Sequence, residues 1–206
     1  MTSDVSMLAR PKRADVRKKI LDSALEIFLS DGYEKASLSK IATHAGFTKG
    51  AIYSNFNSKQ ALLSSAWEEK IGNDAQEMSI LLEEEFNKQQ NINELLDVLS
   101  QKILLLIPSH MQWEIALNQL RYLGVKDKVL AQLYKKIYQS RIHNVVMLAK
   151  KHELVMKMKE EKIETFAIAL LSLFNVICLE EAVQPGFSKQ QNVFFLLRSC
   201  LEGVIR

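Results

Sequence analysis

The residues of most chemical interest lie in the stretch GFTKGAIYSNFNSK, residues 46–59. Its pattern predicts a short helix that begins at Lys49, yet the second helical position, Gly50, is a residue that disfavours helix. Ile52 and Phe56 are four residues apart and are expected to face a core. The remaining positions form a small, polar and basic edge. Such an edge suits close approach to the major groove of DNA.

Other patterns that would carry chemistry are missing from the sequence. Cys178 and Cys200 form no CxxC pair and have no histidine at metal-ligand spacing, so no metal site is expected. We interpret both as free, buried, reduced thiols and leave a redox role open. The sequence has no nucleophile–base pairing, glycine-rich phosphate loop or metal cluster. It therefore predicts no enzyme and no cofactor, with a helical enzyme as the competing interpretation.

Three helices are predicted to position the edge at residues 46–59. Apolar spacing and capping residues place them at 15–32, 38–45 and 49–56, with Ser37 and Thr48 as N-caps. A turn of about four residues containing a glycine joins the second and third helices, which is the spacing of a helix-turn-helix. Residues 1–14 have no apolar periodicity and are interpreted as a flexible basic arm.

Positive charge is concentrated in the same part of the chain. The net charge of the whole chain is +3, but residues 1–60 carry +4 and residues 61–206 carry −1. A basic run lies near the N-terminus and consists of Arg10, Lys12, Arg13, Arg17, Lys18 and Lys19. The simplest interpretation of such a run is a solvated face, and the alternative interpretation is an arm that binds a polyanion.

Residues 15–62 resemble the DNA-binding domain of the TetR (tetracycline-repressor-like) family. Phe47, Thr48 and Gln60 depart mildly from the family pattern. The resemblance covers about the first third of the chain, and its matching positions are Phe28, Gly32, Tyr33, Ile41, Ala42, Ala45, Gly46, Gly50, Ile52, Tyr53, Phe56, Ser58, Lys59 and Leu62.

The resemblance implies a role in DNA binding for ten residues, since phosphate contacts set register and base contacts set sequence. Each has a simpler alternative: Tyr53 as a packing residue, Lys49 and Lys59 as solvated lysines, and Ser37 and Thr48 as caps alone. The implied base-edge residues are Ser39, Lys49, Gly50, Ala51 and Ser54, and the implied phosphate contacts are Ser37, Thr48, Tyr53, Asn55 and Lys59.

The rest of the chain is also predicted to be helical. Further helices are expected at about 59–88, 92–107, 110–123, 127–151, 159–183 and 188–205, with Pro108 ending the second of these. The fold class is therefore all-α with about nine helices. The predicted domains are the arm at 1–14, a helix-turn-helix domain at 15–60, and a helical effector-binding and dimerisation domain at 61–206.

The last two predicted helices are apolar on more than one face. A surface helix needs only one apolar stripe, so the second face must be buried in a core or against another chain. The resemblance favours a homodimer that reads a palindrome. The residues predicted for the dimer interface are Phe166, Leu170, Phe174, Ile177, Phe194, Leu197 and Leu201.

The resemblance also implies a small-molecule effector bound by the middle helices. Aromatic and methionine side chains with a few polar groups suit such a site, although side chains of these types are usually plain core. The predicted ligand-binding residues are Trp67, Met111, Trp113, Asn118, Arg121, Tyr122, Tyr134, Tyr138, His143 and Met147, and Met78 and Phe86 are further candidates.

The combined prediction is a cytoplasmic, sequence-specific transcriptional regulator. It is expected to bind a palindromic operator in double-stranded DNA as a homodimer and to be released by a small molecule. The alternatives are a transcriptional activator and a DNA-binding architectural protein without sequence choice. The N-terminus lacks the apolar core of a signal peptide, and the most apolar run, 166–179, is too short to span a bilayer, so no membrane contact is expected.

Overall fold

The computed structural model describes residues 12–86 and 91–205, and the side chains of residue 75 and of residues 77–86 lie outside that description. Over the described residues the chain is all helical, as the sequence predicts. The helices are α1 Arg13–Lys35, α2 Leu38–Ala45, α3 Lys49–Tyr53, α4 Lys59–Phe86, α5 Ile92–Gly124, α6 Lys128–Ala149, α7 Glu153–Met156, α8 Glu160–Val183 and α9 Gln191–Ile205, with a 3₁₀ turn at Phe187–Lys189.

Two compact units divide the chain after Ala66, inside α4. The sequence placed this division at residue 60. The predicted arm falls almost entirely on residues 1–11, which lie outside the described residues, and the first helix begins two residues earlier than expected, at Arg13.

The N-terminal unit is built around α1. Ile20, Ala24, Ile41, Ile52 and Leu62 are completely buried in its core. Gly32 has φ 77° and ψ 167°, a positive φ that L side chains rarely adopt. The helix end predicted at this glycine is present only as an interruption of the helical dihedral angles, after which α1 continues to Lys35.

The C-terminal unit contains the largest departure from the predicted helices. Residues 92–124 form one helix of 33 residues with Pro108 inside it, where the sequence predicted two helices separated by that proline. Beside the proline, the Ser109 hydroxyl donates to the Leu106 carbonyl oxygen at 3.0 Å, and His110 Nδ1 lies 3.0 Å from the same oxygen. Packing along α5 on both sides of the proline holds the helix together, because Leu99, Ile103, Ile107 and Leu117 are all buried.

Over residues 12–86 and 91–205 the predicted total of about nine helices is thus right. The predicted and observed sets of helices differ in two places. One predicted break in α5 does not occur, and the short helix α7, Glu153–Met156, was not predicted. The acidic run at 83–85 and the predicted candidates Met78 and Phe86 have side chains outside the described residues.

In the part of the chain that the structure describes, helix α8 has 24 residues and is long and apolar enough, by length and composition, to span a bilayer. The helix agrees with the predicted range 159–183, but the predicted apolar run of 14 residues at 166–179 is shorter than the apolar window that the helix contains. One such helix is weak evidence for a membrane, since core helices have the same composition. Here one face of α8, with Ile163, Phe166, Phe174 and Ile177, is buried in the unit's own core.

The turn that connects α8 to α9 depends on Glu181. Its two carboxylate oxygens accept the backbone N–H groups of Gly186 at 2.8 Å and Ser188 at 2.7 Å. These hydrogen bonds lower the pKa of Glu181 from its ordinary value of 4.5, because they stabilise the charged form.

Glu181→Gln is therefore expected to destabilise the C-terminal unit by about 1–2 kcal/mol at neutral pH, since a neutral amide accepts these bonds less strongly. A carboxylate with a depressed folded-state pKa stabilises the fold above its unfolded pKa and loses that contribution as the pH falls through the folded value. The difference from wild type in urea unfolding should be full above about pH 5 and shrink on further acidification.

Glu164→Gln, at an exposed position of the same helix, controls for the loss of one negative charge. A difference between wild type and Glu181→Gln that stayed constant down to pH 3 would contradict the assigned role of the carboxylate.

Candidate functional site

The turn between α2 and α3 is fixed by local side chains. Gly46 adopts a left-handed conformation with φ 74° and ψ 27° and ends α2. The Ser37 hydroxyl accepts the backbone N–H of Lys40 at 3.1 Å, and the Thr48 hydroxyl accepts that of Ala51 at 3.3 Å. Both predicted N-caps are confirmed, so the start of each helix is set by the residue before it.

Helix α3 is shorter than the sequence predicted and ends at Tyr53 instead of Phe56. The side chains of Ser54 and Asn55 both donate to the Ala51 carbonyl oxygen, at 2.9 and 2.8 Å. These bonds satisfy a terminal carbonyl that a longer helix would have paired with a backbone donor. Ile52 is nevertheless completely buried and Phe56 is buried, which confirms both as core residues.

The opposite side of α3 is open to solvent. Lys49, Gly50, Tyr53 and Ser54 are exposed, and Ser39 on α2 is exposed as well. The tyrosine ring is 52% exposed, and the Lys49 ammonium lies 5.8 Å from its centroid. This geometry gives an uncovered polar edge with a cation above an aromatic ring.

Lys59 has a more constrained position than a solvated lysine. Its ammonium nitrogen lies 4.2 Å from the centroid of the Tyr33 ring and donates to the Glu34 carbonyl oxygen at 3.4 Å. Partial burial lowers the pKa of Lys59, because burial penalises the charged form. Asn55 is similarly occupied within the unit, since its amide bonds the end of α3.

Arg17 of the basic run has a structural role that the sequence argument did not find. Its guanidinium carbon lies 4.4 Å from the centroid of the Phe56 ring, and its nitrogens donate to the Asn55 carbonyl and the Ser65 hydroxyl, each at 3.4 Å. Arg17 thus ties α1 to the segment after α3 and to α4 within the same unit. Lys12, Arg13, Lys18 and Lys19 are exposed.

The C-terminal unit contains a cavity of about 170 Å³. Its described lining is mostly aliphatic and aromatic, and His110 and Arg141 are among its polar members. The other lining residues are Ile71, Asp74, Leu99, Ile103, Leu106, Asn144, Val145, Leu148, Ala149, Phe166, Leu170, Leu171 and Phe174.

The ten predicted ligand-binding residues lie elsewhere, and none lines this cavity. Trp67 is buried and its ring meets Trp113 edge-on, with centroids 4.7 Å apart. Tyr134 and Tyr138 stack on each other at 5.9 Å. The remainder are exposed (Arg121, Tyr122, His143 and Met147) or half-buried (Met111 and Asn118).

A buried carboxylate lies beside the cavity. Glu114 is 2% exposed and pairs with the guanidinium of Arg141. Asn175 donates to the same carboxylate at 2.6 Å. The three residues join α5, α6 and α8, and no pattern in the sequence distinguished Glu114 from the solvated glutamates on other helices.

The apolar residues predicted for the dimer interface are mainly on the wrong faces. Five of the seven are buried in the core of the single chain: Phe166, Phe174, Ile177, Leu197 and Leu201. They have no surface left for a second chain. Phe194 and Leu170 are half-buried, and Leu170 lines the cavity.

A different face of α8 and α9 is apolar and uncovered. On α8 it includes Ile168, Val176 and Val183, and on α9 it includes Phe195 and Leu196, which are 53% and 52% exposed. The exposed positions of α9 from residue 192 onward repeat at helical spacing, and three of them, Phe195, Leu196 and Cys200, have apolar side chains. The other three are Asn192, Ser199 and Gly203.

The prediction that both cysteines are buried is wrong for Cys200, which is exposed. Cys178 is buried as predicted, and burial raises the pKa of its thiol.

Comparison with known proteins identifies the N-terminal unit. Residues 20–66 match the family model described as "Bacterial regulatory proteins, tetR family". The N-terminal unit is therefore a domain of the tetR family.

Curated relatives match a segment of similar length. The HTH-type transcriptional regulator SrpR of Pseudomonas putida is 46% identical over 55 residues, which are 25% of this chain and 26% of SrpR. The matched segment thus spans about a quarter of the length of such relatives.

The likeness in fold to solved structures extends over nearly the whole chain. Salmonella enterica GusR has a TM-score of 0.68 at 18% identity and covers 96% of this chain and 98% of its own. FadR from Bacillus subtilis in complex with stearoyl-CoA has a TM-score of 0.61 at 22% identity and covers 91% of this chain and 97% of its own. At these identities the likeness concerns the fold alone.

In the TetR-family domain, Gly50 is not required by the chain's own structure. A Cβ added there would meet only the Thr48 hydroxyl oxygen, at an ordinary 3.7 Å, and the residue has no positive φ. Glycine inside a helix costs about 0.5–1 kcal/mol relative to alanine. The domain therefore carries a destabilising residue on its exposed edge that its own packing does not explain.

Gly50→Ala is accordingly expected to stabilise the N-terminal domain by up to about 1 kcal/mol while weakening DNA binding, because the added methyl group stands on the edge assigned to DNA. Thermal melting and DNA titration by fluorescence anisotropy measure the two effects. Gly72→Ala is the matched control, since Gly72 is also helical and has open space around it. Equal DNA affinity for both variants would contradict the assignment of the edge.

Proposed function

We propose that the chain is a ligand-responsive transcriptional repressor that binds a palindromic operator as a homodimer and is released by a small molecule. The observation that carries this proposal is the exposed edge of α3, where a glycine without a structural reason lies beside Lys49 and Tyr53 in a TetR-family domain. Small residues at a helix surface permit close approach to base edges, and the flanking cation favours phosphate.

The ten residues assigned to DNA divide into two groups in this proposal. Lys49, Gly50 and Ser54 are exposed on or just after α3 and are proposed to lie near bases, with Ser39 and Ala51. Phosphate contacts are proposed for Tyr53 and Lys59, and for Ser37, Thr48 and Asn55, whose polar groups also serve as caps. Lys59 would have to leave the Tyr33 ring or contact phosphate from that position.

The homodimer is proposed to form through the uncovered apolar face of α8 and α9. Ile168, Val176, Phe195 and Leu196 are exposed apolar side chains that a monomer would leave in water, and a dimer that covers them would remove this exposure. In such a dimer a twofold axis relates the two copies of α3, which are the recognition helices. Their centres must lie about 34–36 Å apart, or a multiple of that distance, to read one face of DNA.

The effector is proposed to occupy the cavity beside Glu114. A mostly apolar cavity with a few polar groups has the chemistry of a small-molecule site. The bound ligand would favour a dimer conformation whose recognition helices no longer match the operator half-sites, which is a shift in population and not a new contact with DNA. Such a regulator acts in the cytoplasm, where the DNA is.

Selection of bound sequences from random double-stranded DNA, using the purified chain, tests the central claim. Enrichment of a palindromic motif, bound at least about 10³-fold more tightly than random DNA, is the expected result. Binding without enrichment by a folded dimer would instead indicate a DNA-binding protein without sequence choice. Operator release can then be measured on the selected motif.

A further inference from the structure

The cavity in the C-terminal unit is long in one direction. Residues of α5 from Leu99 to His110 line it, and the eleven residue steps between these two positions correspond to about 16 Å along an α-helix. A second, smaller cavity shares the lining residues Leu99, Ala149 and Phe166 with the first. The lining of the first cavity therefore meets that of the second near Leu99, away from the polar residues His110, Arg141 and Asn144. The second cavity has His152 and Lys162 among its own lining residues.

Asp74 and Arg141, the acidic and basic residues in the described lining of the first cavity, each already have a partner of opposite charge. Arg141 pairs with Glu114, and Asp74 pairs with Lys70. Glu114 is almost completely buried, so a ligand that captured Arg141 would strand a carboxylate with only Asn175 as a donor. A ligand with a formal charge would thus lack a compensating charge in an apolar surrounding.

The remaining polar capacity suits a neutral group. His110 Nδ1 lies 3.0 Å from the Leu106 carbonyl oxygen and 2.9 Å from the Ser109 hydroxyl oxygen, which itself donates to the Leu106 carbonyl. The tautomer with the proton on Nδ1 satisfies both contacts. In that tautomer Nε2 is an acceptor, and it lies 3.9 Å from Asp74 Oδ2, beyond hydrogen-bond distance. A hydroxyl group can donate to this nitrogen, and Asn144 adds a neutral amide to the lining.

We infer that the effector class is an elongated, uncharged molecule with a hydrocarbon chain and one hydrogen-bonding head group. This inference rests on the proposed function of the cavity as the effector site. The head group lies beside His110 and Asn144, and the chain extends along α5 towards Leu99 and Phe166.

Three probes of one chain length test the inference: 1-octanol, octanoate and octylamine, titrated at pH 7.5 by calorimetry. The neutral alcohol is expected to bind at least about tenfold more tightly than either charged probe, because a charge in an apolar site without a counter-ion is penalised. Val145→Trp fills the cavity and should abolish binding of the alcohol. Met147→Trp is the matched control, two residues further along α6, exposed and outside the lining.

Glu114→Gln separates charge compensation from simple hydrophobicity. It leaves Arg141 without its carboxylate partner, so octanoate should gain about tenfold or more in affinity relative to 1-octanol. Trp67 and Trp113 both belong to the C-terminal unit, so their fluorescence verifies that this variant remains folded at the titration temperature.

The outcomes distinguish the ligand class from the site. Tightest binding of octanoate or octylamine to wild type, lost in Val145→Trp, would overturn the neutral class and leave the cavity as the effector site. Failure of all three probes to bind wild type would also overturn the inferred class. Unchanged probe binding in Val145→Trp would show that the cavity is not the site, and the proposed effector mechanism would fail with it.

Discussion

Glu114→Ala should lower the free energy of unfolding of the C-terminal unit by about 3–5 kcal/mol, because it leaves the guanidinium of Arg141 without its buried partner. The carboxylate also accepts from Asn175 at 2.6 Å, so the substitution orphans two donors on two helices. Urea unfolding followed by tryptophan fluorescence is the measurement, since both tryptophans lie in this unit.

The double variant Glu114→Ala/Arg141→Ala separates the ion pair from the rest. It should be less destabilised than the sum of the two single variants, by about 1 kcal/mol or more, because no unpaired charge remains. Glu164→Ala, at an exposed position of α8, controls for the loss of a glutamate. A Glu114→Ala variant within about 0.5 kcal/mol of wild type would mean that water already solvates the pair.

Phe195→Arg/Leu196→Arg should convert the dimer into a monomer and weaken operator binding by about 100-fold or more, since two central apolar residues are lost and like charges face each other across the twofold axis. Both side chains are more than half exposed in the single chain, so unfolding of the protomer should change little. Analytical ultracentrifugation measures the assembly, and anisotropy with the selected operator measures the binding.

Leu105→Arg is the matched control for this pair. Leu105 is 75% exposed on α5, so the same change from leucine to arginine is made on an apolar surface outside α8 and α9. It should leave both assembly and operator affinity unchanged. If the double variant still sediments as a dimer, then the interface lies on another surface.

The parts of the fold that follow from local chemistry could be predicted from the sequence. Ser37 and Thr48 cap α2 and α3, and Gly46 takes the left-handed conformation that ends α2. Each of these depends on a hydrogen bond or a dihedral angle within four residues along the chain, so the local sequence contains what is needed. The helix-turn-helix spacing could be predicted for the same reason, because it depends on these local caps and on the glycine turn between them.

Features that depend on packing between distant segments could not be predicted in this way. Helix α8 is apolar nearly all round, so its composition does not reveal which face meets α5 and which stays uncovered, and Phe166 and Phe174 were therefore assigned to the wrong surface. In the sequence Glu114 looks like any solvated glutamate, because its partners Arg141 and Asn175 lie 27 and 61 residues further along the chain. Aromatic residues were favoured for the ligand site, but aliphatic side chains form most of the cavity.

Pro108 gives α5 an uneven resistance to local opening. A proline has no backbone N–H, so the Leu104 carbonyl loses the donor that a helix would otherwise supply, in the segment between the cavity residues Ile103 and His110. Backbone amides near this point should exchange with deuterated water sooner than those around buried Leu96 and Leu120. A molecule that fills the cavity would slow that exchange, so the proline places an easily deformed turn of the 33-residue helix α5 against the proposed effector site.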